Sequence, residues 1–411
     1  MKTCDIIGIS DSRQQWFPPK VMDIIRSGSV FSGGKRHHEI MAPLLPNGAV
    51  WIDISVPLEK VFEQYEQHEH VIIFASGDPL FFGFANTLQR ECKDVKMQIF
   101  PSFNSLQMLA HRMSVAYHDM HVVSLTGRPW LKFDEALING EPMIGVLTDR
   151  IKTSHAIHQR MVEYGYTNYL MMVGENLGNE ELERVSCYDE QTTYSHPNCI
   201  ILQKTSQHVR PFGIPDSAFS LLDGREKMIT KMPIRLLTLQ ALDLTHRHTL
   251  WDIGFCTGSI SIEARLQFPH LHIEAFEIRP ECEAIIRENA RRFHAPGINI
   301  HMGDFLNFQL STINYQLSTA NCQLSSPDAV FIGGHGGHLK EIMEKVLTVL
   351  SPDGIIVFNS VTSPVVDQMT DRPNSRQLWD EACQTLGLKQ STPLRVQIDQ
   401  HNPIEILKAH L

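Results

Sequence analysis

No apolar run in this 411-residue sequence approaches the roughly 18 residues of a membrane-spanning helix, so an integral helical membrane protein is not expected. The N-terminus, "MKTCDIIGIS", enters a strand at once and lacks the apolar core and small-residue cleavage site of a signal peptide, so a cytoplasmic location is expected. The eight cysteines include no CxxC pair and no zinc-like spacing, which argues against a disulfide frame or structural metal and for reduced thiols. A basic excess is missing too. The 36 Lys and Arg face 46 Asp and Glu, a formal charge of −10, which argues against nonspecific binding to nucleic acid or an anionic membrane. His37 and His38, His335 and His338, and the "EQHEH" stretch near residue 70 lack the spacing of a zinc site, so no metal is expected.

What is present is a soluble α/β pattern. The length suits two domains, and 42% hydrophobic with 20% charged residues is a globular composition. From residue 1 to about 205, apolar strands such as "CDIIGIS", "HVIIFASG" and "NCIILQK" alternate with helical patterns, which predicts a mainly parallel sheet covered by helices. Residues 206–225 break the rhythm with prolines and glycines and read as a linker. A second series fills 226–411. It closes with "LRVQID" and "IEILKAH", joined by too few residues for a helical crossover, so an antiparallel pair is expected at the sheet edge. Residues 307–326 carry three near-copies of a polar seven-residue unit, at Asn307, Asn314 and Asn321, and read as an inserted loop.

The stretch "LWDIGFCTGSISIEA", residues 250–264, carries the first chemical signal. An apolar strand ends in Asp252, turns through Gly254 and Gly258, and enters a helix whose free N–H groups favour electron-rich atoms. The G-x-G-x-x-G of a dinucleotide site does not fit this turn. Glu277, about 20 residues on at the end of the next strand, is placed to accept hydrogen bonds from ribose hydroxyls, and Asp304 to border an adenine pocket. A nucleoside ligand follows.

These features together resemble the Rossmann-like S-adenosylmethionine-dependent methyltransferase fold. "MITKMPIRLLTLQALDL" and "PDAVFIGGHGG" narrow the resemblance to the decarboxylating precorrin methyltransferase domain of cobalamin biosynthesis, over residues 226 to about 411. It implies an S-adenosylmethionine pocket lined by Thr230, the loop from Gly254 through Thr257 to Gly258, Glu277, Asp304 and Phe305. Asp252 and Glu277 suit the cationic groups of that ligand. The chain departs from the family at Cys256, where glycine is usual and a side chain narrows the turn. His335, after the fourth strand, is the candidate for orienting substrate or moving a proton.

The N-terminal half has its own signature. "FASGDPLFFG", residues 74–83, resembles the G-D-P loop of the tetrapyrrole methylase family, a fold of two α/β lobes. "FSGGKRHHEI", "PSFNSLQMLAHRM", "SLTGRPW", "VLTD" and "VGENLG" follow in the order of its precorrin-6Y branch. The likeness implies cofactor contacts at Gly8, Gly77, Asp78, Ser105 and Leu125, and substrate contacts at Arg36 and Arg128. Arginine suits a ring bearing many carboxylates because its fork can bind them bidentately. The first loop, "GISDSRQQW", departs from the family in having a single glycine, with Ser10 and Ser12 as small substitutes.

The two resemblances imply a fused, bifunctional C-methyltransferase of the precorrin-6Y type with one S-adenosylmethionine site per domain. It would methylate ring carbons 5 and 15 of a corrinoid precursor, remove the ring-C acetate carboxyl, and form a homo-oligomer. No nucleic-acid or membrane partner is implied. Two other readings stand beside it, an RNA methyltransferase with an accessory domain and an S-adenosylmethionine-binding sensor.

Overall fold

The computed structural model describes residues 1–310, 326–361, 374–398 and 402–411, so most of the expected insertion, residues 311–325, lies outside the described residues. The chain divides into two compact units. The first comprises Met1–Arg128, Glu141–Gln159 and Asn168–Ser206, and the second Pro129–Gly140, Arg160–Thr167 and Gln207–Leu411.

The first unit holds two sheets. Strands β1 (Thr3–Ile9), β2 (Val30–Gly33), β3 (Val50–Asp53), β4 (His70–Ser76) and β5 (Lys96–Phe100) form a parallel sheet in the order β3-β2-β4-β1-β5. Successive side chains on a strand point to opposite faces, so the unbroken apolar run of β4 feeds two cores. Val71, Ile73 and Ala75 join Cys4 and Ile6 on one face, while Ile72 and Phe74 join Ile7 and Ile9 on the other.

The second sheet is built from β6 (His121–Ser124), β7 (Met143–Leu147), β8 (Tyr169–Glu175), β9 (Arg184–Cys187) and β10 (Asn198–Lys204), in the order β6-β7-β10-β8-β9. Here the expectation of a mainly parallel sheet needs correction. Strand β10 runs antiparallel to both β7 and β8, and β9 runs antiparallel to β8. The segment between β8 and β9 contains no helix, so the chain reverses there, and β10 then pairs with the other edge of β8 in the same direction as β9. The pattern reading missed β2, "VFSG", and β9, "RVSC", whose four residues sit among polar and glycine neighbours rather than in a longer apolar run.

In the second unit β11 (Thr249–Ile253), β12 (His272–Glu277), β13 (Ile298–Met302), β14 (Ala329–Ile332), β15 (Ile355–Val361), β16 (Lys389–Gln390), β17 (Leu394–Val396) and β18 (Ile404–His410) make one sheet. Its order is β13-β12-β11-β14-β15-β18-β16, with β17 also on β18. Strands β11 to β15 are parallel and β18 antiparallel, and the expected closing pair forms between β17 and β18. The α/β class is the one the alternation predicts.

The stretch expected to link the two series packs onto the second unit. Ile214, Phe219 and Leu222 are buried, and the Gly213 and Ile214 amides donate to the Glu263 carboxylate at 2.7 and 3.2 Å. Arg235 completes this buried network through Nε, 3.2 Å from Glu263. The prolines and glycines there punctuate short turns around apolar anchors. The helix Leu131–Asn139 also belongs to the second unit. Its Asp134 receives the Arg160 fork through Nε and Nη2, both at 2.6 Å, and faces Arg265 at 3.8 Å. No helix among the described residues is long and apolar enough to cross a membrane.

Candidate functional site

The order β12-β11-β14 reverses direction at β11, and in parallel α/β sheets the crevice outside the strand ends at such a point takes ligands. A cavity of about 1120 Å³ lies there. Strand β11 delivers Asp252 to it, and the following Gly254 adopts φ of 79°, with its would-be Cβ 2.6 Å from the Gly334 amide nitrogen. Glycine is needed so that the turn can press against the backbone leaving β14. Gly258 caps the helix Ser259–Gln267 with φ of 74° and stands behind the wall, against Ile286.

Two buried polar atoms here have no hydrogen-bond partner among the described residues, Asp252 Oδ1 and Thr257 Oγ1. The other Asp252 oxygen accepts from Ser261 Oγ at 2.6 Å. Burial pushes the Asp252 carboxyl up to about 7, with the nearby Glu277 charge acting in the same direction. Unsatisfied buried acceptors are costly, so this pair marks where a polar ligand completes the structure.

Glu277, at the end of β12, accepts from the backbone amides of Cys256, Ile278 and Arg279 at 2.9, 3.0 and 3.1 Å. The Arg279 fork adds Nε on Oε1 at 2.9 Å and Nη2 on Oε2 at 2.7 Å. Burial pushes this carboxyl up, but Arg279 and the amides outweigh it and hold the group below the ordinary carboxylate range.

The expected narrowing at Cys256 takes a particular form. The residue sits at φ of 50°, a left-handed conformation that costs a non-glycine residue roughly 1–2 kcal/mol. The Cys256 side chain packs in a buried cluster with Cys282 and Ile286, and burial pushes its thiol up, so it stays protonated. Asp304 caps the short turn Phe305–Asn307 by accepting from the Leu306 amide at 3.0 Å, while Phe305 is buried against Trp251 and Phe276. His335 Nδ1 accepts from the Gly337 amide at 3.1 Å, which leaves Nε2 to carry the proton of the neutral ring. Burial pushes this histidine down, and His338 adds to the effect.

The cavity therefore brings together Thr230, Asp252, Gly254, Thr257, Glu277, Asp304, Phe305 and His335. Sequence reasoning missed Ile278, 62% exposed beside Glu277, and Arg279 and Asn359, which also line the cavity. An exposed isoleucine directly after a strand-ending acid was a usable signal. Asn359 carried none, because only the sheet order brings β15 to this crevice.

The first unit has a cleft of about 550 Å³ walled by Gly77, Asn104, Ser105, Arg36 and His37, with Phe81 and Phe82 opposite. Gly8 lies outside this lining. A Cβ there would collide with the Gly77 carbonyl oxygen and stand 2.7 Å from the Ser102 amide, so Gly8 lets three chain segments meet backbone to backbone. Asp78 turns its Oδ1 to the Leu80 amide at 2.9 Å, and Leu125 is wholly buried. Neither lines the cleft. Arg128 is exposed one layer out, over the Phe82 ring at 5.0 Å.

Arg36 is shared between Asp11 at 3.4 Å and Ser76 Oγ at 3.2 Å. Beside it His37 is pushed down to about 4, by burial first and the Arg36 charge second, so it is a neutral hydrogen-bonding group to Ser76 at 2.9 Å. The glycine-poor first loop is fastened by Glu180, which accepts from Ser12 Oγ and from the Arg13 amide at 3.0 Å. Burial pushes the Cys199 thiol, on the cleft wall, up to about 12, so no thiolate nucleophile is available there. Among the described residues no group of three or more His, Cys, Asp or Glu is arranged to hold a metal ion.

A switch-point crevice with a glycine turn, a strand-end acid and a second acid on the neighbouring strand defines the class of S-adenosylmethionine-dependent methyltransferases. The family described as precorrin methyltransferase domain matches residues 222–373. The precorrin-6Y C(5,15)-methyltransferase [decarboxylating] of Sinorhizobium sp is 29% identical over 374 residues, 89% of this chain and 86% of that protein. The probable cobalt-precorrin-6B C(15)-methyltransferase (decarboxylating) of Thermoplasma volcanium is 31% identical over 148 residues, 36% of this chain and 67% of that protein. The cobalt-precorrin-7 C(5)-methyltransferase of Salmonella typhimurium is 25% identical over 184 residues, 44% of this chain and 87% of that protein. The chain belongs to the decarboxylating precorrin methyltransferase family.

Proposed function

We propose that this chain methylates carbons 5 and 15 of a precorrin-6Y-type ring in cobalamin biosynthesis and decarboxylates the ring-C acetate. The observation that carries this reading is a likeness over 89% of the chain that spans both pockets. The division of labour assigns carbon 5 to residues 1–205 and carbon 15 with decarboxylation to 226–411, joined by 206–225. Neither the RNA methyltransferase reading nor the sensor reading is supported by these relatives. A homo-oligomer and a cytoplasmic location complete the proposal by analogy with the family.

S-adenosylmethionine, when bound, supplies an activated methyl group at each site. In the second pocket Asp252 and Thr257 hold its amino-acid end, Glu277 its ribose hydroxyls, and Ile278 with Asp304 and Phe305 the adenine side. Gly254, Gly258 and Thr230 shape the wall. In the first cleft Gly77 and Ser105 approach the cofactor, Gly8, Asp78 and Leu125 support the loops behind, and Arg36 and Arg128 meet substrate carboxylates. Methyl transfer to a ring carbon is an in-line displacement, so the protein's task is to align the two partners and exclude water. In decarboxylation the bond to the carboxyl carbon breaks, its electron pair enters the conjugated ring, and a proton returns to carbon. His335, neutral with a proton on Nε2, can orient a carboxylate without adding a full positive charge that would hold it in place.

Incubation of the purified chain with the corrinoid and S-adenosylmethionine should yield a product that has gained two methyl groups and lost one carbon dioxide by mass spectrometry. Gly8→Ala should leave one methylation and the decarboxylation intact. An unchanged corrinoid with the native chain overturns the proposal.

A pH dependence follows from Asp252. Below about 7 its carboxyl holds a proton and cannot pair with the ligand's ammonium. Affinity of the second pocket for S-adenosylhomocysteine should therefore fall about tenfold between pH 8 and pH 6, as read by calorimetry. A flat profile excludes that pairing.

A further inference from the structure

We infer that Arg279 competes with the ribose of the nucleoside for the Glu277 carboxylate, and so sets the affinity and order of binding at the second pocket. The inference rests on the methyltransferase reading of that pocket. A carboxylate offers about four lone-pair positions. Glu277 already receives five donors, three from backbone amides and two from the Arg279 fork. A ribose diol directed at this acid finds its acceptor capacity filled.

The three amides belong to the strand end and the glycine turn and cannot leave without unmaking the site. The fork can leave. The Arg279 side chain is 34% exposed and lines the cavity, and beyond Glu277 it reaches Met228 Sδ at 3.9 Å. Its withdrawal leaves two amides on Oε1 and one on Oε2, which frees a position on Oε2 for a ribose hydroxyl. The three amides still hold the carboxylate ionised and oriented. The displaced guanidinium then stands at the mouth of the pocket with its donors free. Its planar fork suits a carboxylate of the corrinoid ring, so binding of the nucleoside prepares the site for the acidic substrate. Arg279 is a positioning residue that acts through Glu277.

The test titrates the full chain, Arg279→Gln and Arg279→Lys with S-adenosylhomocysteine, following the site that Glu277→Gln removes. The Arg279→Gln variant should bind about tenfold tighter, since the nucleoside no longer breaks a charge-assisted pair. Arg279→Lys, which keeps the charge but loses the fork, should fall between the two. A damaged fold can only weaken binding, so the gain separates competition from a structural role. Equal or weaker binding in Arg279→Gln overturns the inference. Loss of no site in Glu277→Gln would instead overturn the reading of the pocket on which it rests.

Discussion

Asp252→Asn should lower the affinity of the second pocket for S-adenosylhomocysteine by about 2–5 kcal/mol, roughly thirtyfold to several thousandfold, the cost of removing one partner of a buried charge pair. In calorimetric titration the native chain should show two sites and the variant one. The substitution is nearly isosteric, and Ser261 Oγ keeps an acceptor or a donor to meet, so the pocket should remain formed. Stability separates loss of binding from loss of fold. The folded-state value of Asp252 is raised from an ordinary 3.8 to about 7, so its proton stabilises the folded chain. That stabilisation is full below about 3.8, and it is lost as pH rises toward and through 7. Asp252→Asn cannot ionise and should show a smaller decline in melting temperature over this range. Two undiminished sites in the variant would refute the assignment of Asp252.

Asp134→Ala should be the most damaging single change to the second unit. Asp134 is fully buried and carries the bidentate Arg160 fork. It also faces Arg265 Nη2, which has no hydrogen-bond partner among the described residues and lies 3.8 Å away. Arg265 is itself fully buried, its other nitrogens donating to the carbonyls of Pro296, Pro269 and Leu271. Removing the carboxylate leaves a buried guanidinium without its counter-charge, a loss of about 3–5 kcal/mol. The melting transition of the second unit should fall by roughly 6–20 °C in scanning calorimetry. A shift within about 2 °C would mean that solvent or another anion replaces Asp134. Asp134→Asn, which keeps an acceptor for Arg160, should cost less.

Much of the second pocket was legible because its residues sit at strand ends in local motifs. Asp252, Gly254 and Thr257 come from one stretch of six residues, Glu277 ends the next strand, and Asp304 follows the end of the one after it. Repetition of strand, turn and helix made those positions readable one at a time. Arg279 was not readable in the same way. Its side chain folds back on Glu277, a choice among rotamers that spacing does not encode. In the first unit the G-D-P loop brings Gly77 to the cleft, while Gly8 and Leu125 lie outside its lining. A motif marks a backbone position and does not distinguish a residue that touches a ligand from one that supports its neighbour.

Hydrophobic periodicity, glycine turns and strand-end acids were sufficient for the α/β class, the closing antiparallel pair and the nucleoside signature of residues 250–277, because each is a local property of neighbouring residues, whereas the first unit's signature rested on its resemblance to a family. The antiparallel course of β10, the packing of residues 213–222 onto the second unit and the partnership of Asp134 with Arg160 and Arg265 were decided only by the tertiary structure. Each depends on groups far apart in the chain, and burial makes their pairing energetically necessary without any single segment recording which partner will be found.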